Sequence, residues 1–127
     1  MEDCIFCKII NKEIPSKIVF ENDLVIAFED LNPVAPVHIL IVPKKHIKSA
    51  MEVTEEDSKY LSEVFLVARQ IAEEKGISES GFRIVNNCGD AAGQTVKHIH
   101  FHLIGGKELG EWDKGTEERK LRKGDGS

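Results

Sequence analysis

The sequence predicts an α+β domain built on a mainly antiparallel sheet, and three observations predict it. Five short segments rich in β-branched and aromatic residues are bounded by turn formers. A single long segment, residues 54–75, carries helical spacing and falls between the third and fourth of them. The last two are joined by the short connection "CGDAAGQTV", so an antiparallel sheet with helix on one side is the economical arrangement.

Taken in order, a helical turn is expected from Cys4 to Asn11, ending near "NKEIP" because the residue before Pro15 disfavours helix. Val19 and Phe20, then "LVIAFED" from Leu24, read as two strands joined at "END". "LNPVAP" is a loop, since two prolines do not fit a central strand, and "HILIVP", from His38 to Pro43, is a third and buried strand. The helix runs from Thr54, a cap with Asp57 three residues on, to Lys75, and Gly76 closes it. Its apolar face is Leu61, Val64, Phe65, Ala68, Ile71 and Ala72. "GFRIVNN" is the fourth strand and "KHIHFHLIGG", residues 97–106, the fifth. The domain is read as residues 1–109, with 110–127 a polar, Gly-punctuated tail.

Composition narrows the function. A chain of 127 residues suits one domain, and its net charge of -5 arises before Lys107; from Lys107 onward six basic residues balance six acidic ones. No basic patch is visible, which argues against nucleic acid held through phosphate contacts. No apolar stretch nears the roughly 20 residues of a membrane span, and "MEDCIFCKII" lacks the basic start of a signal peptide. A soluble, cytoplasmic protein is expected. Three cysteines make an odd set for a disulfide framework, and in a reducing compartment Cys4-x-x-Cys7 points to metal or redox chemistry.

Three of the five histidines, His98, His100 and His102, stand at alternate positions. On a strand such side chains share a face and recur about every ~6.6 Å, while Ile99, Phe101 and Leu103 enter the core behind them. Two chemistries suit this row. It can hold a catalytic metal with an open position for water. Alternatively, one neutral imidazole attacks a phosphorus while its neighbours donate to the oxygens. Just upstream, "NNCGDAAGQT" combines small residues with Asn, Gln and Thr donors into a phosphate-sized cradle, although it matches no P-loop spacing.

With these residues in view, the chain resembles the histidine-triad (HIT) superfamily, and within it the Hint-type purine nucleoside phosphoramidases. The likeness spans residues 4–106 through "IFCKIINKEIPSKIVFEND", "AFEDLNPVAPVHILIVPKKHI" and "GFRIVNNCGDAAGQTVKHIHFHLIGG". It implies a homodimer whose two five-stranded sheets join, with a purine nucleotide site on each subunit. It also implies that His100 attacks the α-phosphorus, forming a nucleotidyl-histidine that water hydrolyses. His102, His38 and His98 would donate to the phosphate or orient His100. Asn87, Gly93, Gln94 and Thr95 would hold phosphate and leaving group, Asp30 would accept the ribose hydroxyls, and Ile5, Phe6, Ile9, Phe28 and Leu31 would enclose the base.

The resemblance extends to the cysteine pair. A subset of Hint-like proteins carries it, and there Cys4 and Cys7 with His46 and His98 would complete a tetrahedral structural zinc site. No organic cofactor is expected. Two features qualify the match. Trp112 lies in "LGEWDKG" without the prolines usual in Hint-type tails, and His102 stands where the Fhit-like branch, which cleaves dinucleoside polyphosphates, generally has Gln. The competing readings are such a polyphosphate hydrolase and a nucleotide-binding regulator with little turnover.

Overall fold

The structure, a computed structural model, describes residues 3–111; Trp112 and the rest of the expected tail lie outside the described residues. Helix α1 is Ile5–Ile10, opened by Cys4, whose sulfur accepts the Cys7 N–H at 3.2 Å. Five strands follow: β1 Ile18–Glu21, β2 Val25–Glu29, β3 Val37–Pro43, β4 Phe82–Val85 and β5 Phe101–Gly105. Between β3 and β4 runs α2, Ser58–Glu74. All pairings are antiparallel and the sheet order is β1-β2-β3-β5-β4. The predicted α+β class is therefore the observed one.

Strand alternation separates the two faces. Val25, Ala27, Ile39, Ile41, Phe101 and Leu103 pack on Val64, Val67, Ala68 and Ile71 of α2. On the other face Ile26, Phe28, Leu40 and Val42 meet Phe6 and Ile9 of α1. That second layer is thinner, one short helix covering part of the sheet, and the uncovered part is where chemistry has room. The α2 stripe differs from expectation at one point. Phe65 is 55 % exposed and lies at the edge of the stripe, 6.4 Å between ring centroids from Phe101, while Val67 takes the buried position. The helix starts later than the sequence predicts: Thr54 and Asp57 do form a reciprocal capping box, but it closes a 3-10 turn at Glu55–Asp57, and α2 itself begins at Ser58.

The fifth strand is shorter than predicted. It begins at Phe101 rather than Lys97, so His98 and His100 precede the ladder. Proline explains the difference. Continuing the β3–β5 register would set Ile99 opposite Pro43, which has no N–H to donate. Instead the Ile99 N–H reaches the Ile47 carbonyl at 2.7 Å, and the Pro43 carbonyl accepts from the His98 ring at 2.8 Å. Side chains still alternate, with Ile99 in the α2 core and His98 and His100 against Phe6 on the other face. At the far end of β5, a Cβ at Gly105 would lie 2.7 Å from Ile77 Cδ1, so the tip of that buried side chain would have to shift. Among the described residues no helix is long and apolar enough to cross a membrane.

Candidate active site

All five histidines gather on the α1 face, and their hydrogen bonds assign most of the ring protons. His100 is buried and its Nδ1–H donates to the His98 carbonyl at 2.8 Å, which leaves Nε2 with the lone pair. Burial pushes its pKa below the usual imidazole range, against the pull of the His98 carbonyl and of Asp30, so the neutral form is favoured. A neutral imidazole with a free Nε2 is a nucleophile.

A second chain of bonds orients His102. The Val34 N–H donates to His38 Nδ1 at 3.1 Å, so the His38 proton sits on Nε2, 2.9 Å from His102 Nδ1. That nitrogen accepts, and His102 keeps its own proton on Nε2 as a donor. Burial first, then His100 and His38 beside it, push the His102 pKa down to about 4. His38 and His102 are diagonal neighbours across β3 and β5, with ring centroids 5.1 Å apart, and those of His100 and His102 are 5.3 Å apart. Asp30 Oδ2 lies 3.4 Å from His38 Nε2, and Oδ1 accepts the Asn32 N–H at 2.7 Å, closing an Asx turn where β2 ends.

His100 and His102 line a cleft of about 380 Å3. Phe6, Ile9 and Phe28 form its buried floor, Phe6 standing edge-on to His100 at 5.0 Å. Ile5 and Leu31 are exposed on its rim, and Asp30 and Thr95 complete the predicted residues that line it. Asn87, Gly93 and Gln94 are placed on the connecting loop and do not line the cleft. Gln94 is buried, and its amide is spent on backbone: Oε1 accepts from Gly89, while Nε2 donates to the Lys48 and Val96 carbonyls. Gly93, at φ 85°, closes the turn at Asp90–Ala92, a conformation that favours glycine. Asn86 was visible in the sequence only as one donor among several. Its Nδ2 holds the His100 carbonyl at 2.8 Å, a positioning contact that no sequence spacing signals.

The metal candidates stand alongside. Cys4 Sγ lies 3.3 Å and Cys7 Sγ 3.6 Å from His98 Nδ1, with Cys7 Sγ 3.2 Å from His46 Nδ1. All four ligand atoms fall within 4.8 Å of one another. A tetrahedral zinc with ordinary bond lengths separates sulfur from nitrogen by roughly 3.5 Å, so the donor set fits. The His98 tautomer fits too, because Nε2–H is occupied by the Pro43 carbonyl and Nδ1 faces the sulfurs. Burial, then Cys4, pushes the Cys7 thiol up to about 11. A single catalytic metal on the whole row has no such geometry. His98 Nδ1 faces the cysteines, His100 Nδ1 donates to a carbonyl, and His102 Nδ1 takes the His38 proton.

Comparison with known proteins agrees with this arrangement. The HIT domain family matches residues 11–109. Over 109 residues, 86% of this chain and 92% of the relative, the chain is 49% identical to a purine nucleoside phosphoramidase of Escherichia coli. Among solved structures, a histidine triad protein from Clostridium difficile superposes with a TM-score of 0.85 at 52% identity, covering 88% of this chain and 97% of that one. A HIT family hydrolase from Legionella pneumophila gives 0.83 at 45%, covering 86% and 96%. The chain belongs to the HIT domain family.

Proposed function

We propose that this protein hydrolyses the P–N bond of purine nucleoside 5′-phosphoramidates through a nucleotidyl-His100 intermediate. The observation that carries the reading is the His100 tautomer: a buried neutral imidazole whose Nε2 lone pair is left free on the wall of an apolar cleft. The base lies among Phe6, Ile9, Phe28, Ile5 and Leu31, with the ribose hydroxyls at Asp30. The phosphate meets His102 Nε2–H and Thr95, which follows the turn that Gly93 and Gln94 hold in shape, and Asn87 stands on the same connecting loop as the further donor candidate.

In the first step the His100 Nε2 lone pair bonds to phosphorus. The P–N bond breaks with its electron pair on the amine, which leaves with a proton taken from solvent while His100 keeps its Nδ1–H. In the second, water adds to phosphorus and gives a proton back to solvent as the P–Nε2 bond breaks, returning the neutral imidazole and releasing the nucleoside monophosphate. His102 donates to a phosphoryl oxygen in both, and His38 keeps it in the donating tautomer.

Zinc is the metal we assign to Cys4, Cys7, His46 and His98. Four protein ligands leave no open position, so its role is structural: it ties α1, which carries the base-binding floor, to the segment that carries His100. A homodimer is supported by large apolar side chains left exposed, Phe65 and Leu66 on α2 and Phe82 on the edge strand β4. Reading Cys4 and Cys7 as thiolate ligands, which a reducing compartment favours, supports a cytoplasmic location.

The test is incubation with adenosine 5′-phosphoramidate. AMP is released by the wild-type protein and not by His100→Ala. Absence of AMP from the wild type, with tight purine nucleotide binding, would instead favour a binding protein.

A further inference from the structure

Thr95 and Val96 line two clefts at once. One is the apolar cleft described above; the other, of about 460 Å3, has Asp3, Cys4, His46, Lys48 and Lys97 as its remaining walls. The two differ in chemistry. The second sets two lysines against one carboxylate, and its Cys4 and His46 wall belongs to the candidate metal centre.

Lys48 is fixed through its backbone, since its carbonyl accepts from Gln94, and among the described residues its ammonium meets no carboxylate within ion-pair distance. The Lys97 ammonium sits 2.5 Å from Asp90 Oδ1 and 2.7 Å from the Gln94 carbonyl. That ion pair is exposed on both sides, so water screens it and a competing anion meets little resistance.

We propose that this second cleft is the leaving-group subsite, and that it selects amines bearing a carboxylate, such as N-linked amino acids. The inference rests on the phosphoramidase reading. In-line displacement places the departing amine on the side of phosphorus opposite His100. A nucleotide seated in the apolar cleft has its phosphate at Thr95, and the group beyond Thr95 enters the lysine-lined space. There a substrate carboxylate meets the Lys48 ammonium and can take the place of Asp90 at Lys97, with Asp3 the one opposing charge on the wall, where an uncharged group gains neither.

The experiment compares the adenosine 5′-phosphoramidates of β-alanine and of β-alaninamide, which differ in one charge. Exposed pairs of this kind predict that the wild type favours the carboxylate substrate in kcat/KM by roughly five- to tenfold, and that added salt shrinks the ratio. Lys48→Gln with Lys97→Gln brings the ratio toward one, and Lys48→Arg, which keeps the charge, preserves it. Thermal melting of each variant reports its fold, and the single Lys97→Gln variant gives an intermediate ratio should the double variant be unstable. Equal turnover of both substrates by the wild type would overturn the proposal, as would a preference that survives the double substitution. Failure to cleave either substrate would overturn the phosphoramidase reading itself.

Discussion

His100 Nδ1–H donates to the backbone carbonyl of His98 across 2.8 Å, so the imidazole assigned to attack is held by the residue that also faces the cysteine pair. The His98 ring is fixed at both nitrogens, at Pro43 and at the sulfurs, and it passes that rigidity to His100 through its own main chain. Structure and chemistry share one short segment.

The same logic applies to His102 at one remove. His38→Ala removes the proton that holds His102 as a donor, and kcat is expected to fall roughly ten- to hundredfold, with KM changing less. Steady-state kinetics on adenosine 5′-phosphoramidate check this. A variant altered in KM alone would show that His38 serves binding rather than orientation.

The metal centre predicts about one zinc per chain by elemental analysis. Cys4→Ser should lose most of the zinc and melt at lower temperature, because Cys4 is both a ligand candidate and the cap of α1. Metal-free protein with unchanged melting would contradict the assignment.

Much of this was legible in the sequence, and the exceptions have physical causes. Element order, the Thr54–Asp57 box and the separation of faces follow from local pattern, which the fold preserves. The early end of the ladder does not, because Pro43 meets Ile99 only once β3 and β5 are paired. Phe65 sits one position from the buried stripe, and periodicity alone does not resolve an edge residue. The Gln94 amide was readable as a phosphate donor until its three backbone partners were visible. Asn86, by contrast, owes its contact with His100 to a pairing fourteen residues away.

Acid sensitivity has a specific source in Asp57. The Lys45 ammonium at 2.5 Å and then the Thr54 N–H hold its carboxyl below the usual carboxylate range. A carboxyl whose pKa is depressed on folding contributes stability that is complete above the unfolded value, near ~4, and is lost as pH falls through the folded one. Asp57→Asn should therefore lower the melting temperature at neutral pH, and the gap from wild type should narrow in acid. A gap that does not change with pH would assign the loss to packing.

Gly105→Ala places a methyl group against Ile77 Cδ1, and the β5 backbone cannot retreat without breaking its pairing with Val37 and Phe82. Because the obstacle is a side-chain tip that can turn aside, a destabilisation at the low end for overpacking, about 1 kcal/mol, is expected. Chemical denaturation measures it. Recovery in the double variant with Ile77→Val would confirm that Ile77 is the obstacle.

The most direct test of the account is to trap the intermediate. Wild-type protein mixed with adenosine 5′-phosphoramidate, quenched within one turnover and mapped by mass spectrometry, should carry a single adenylyl group on the peptide containing His100, and His100→Ala should carry none. Turnover without any adduct, retained in His100→Ala, would show that water attacks phosphorus directly and that His100 is not the nucleophile.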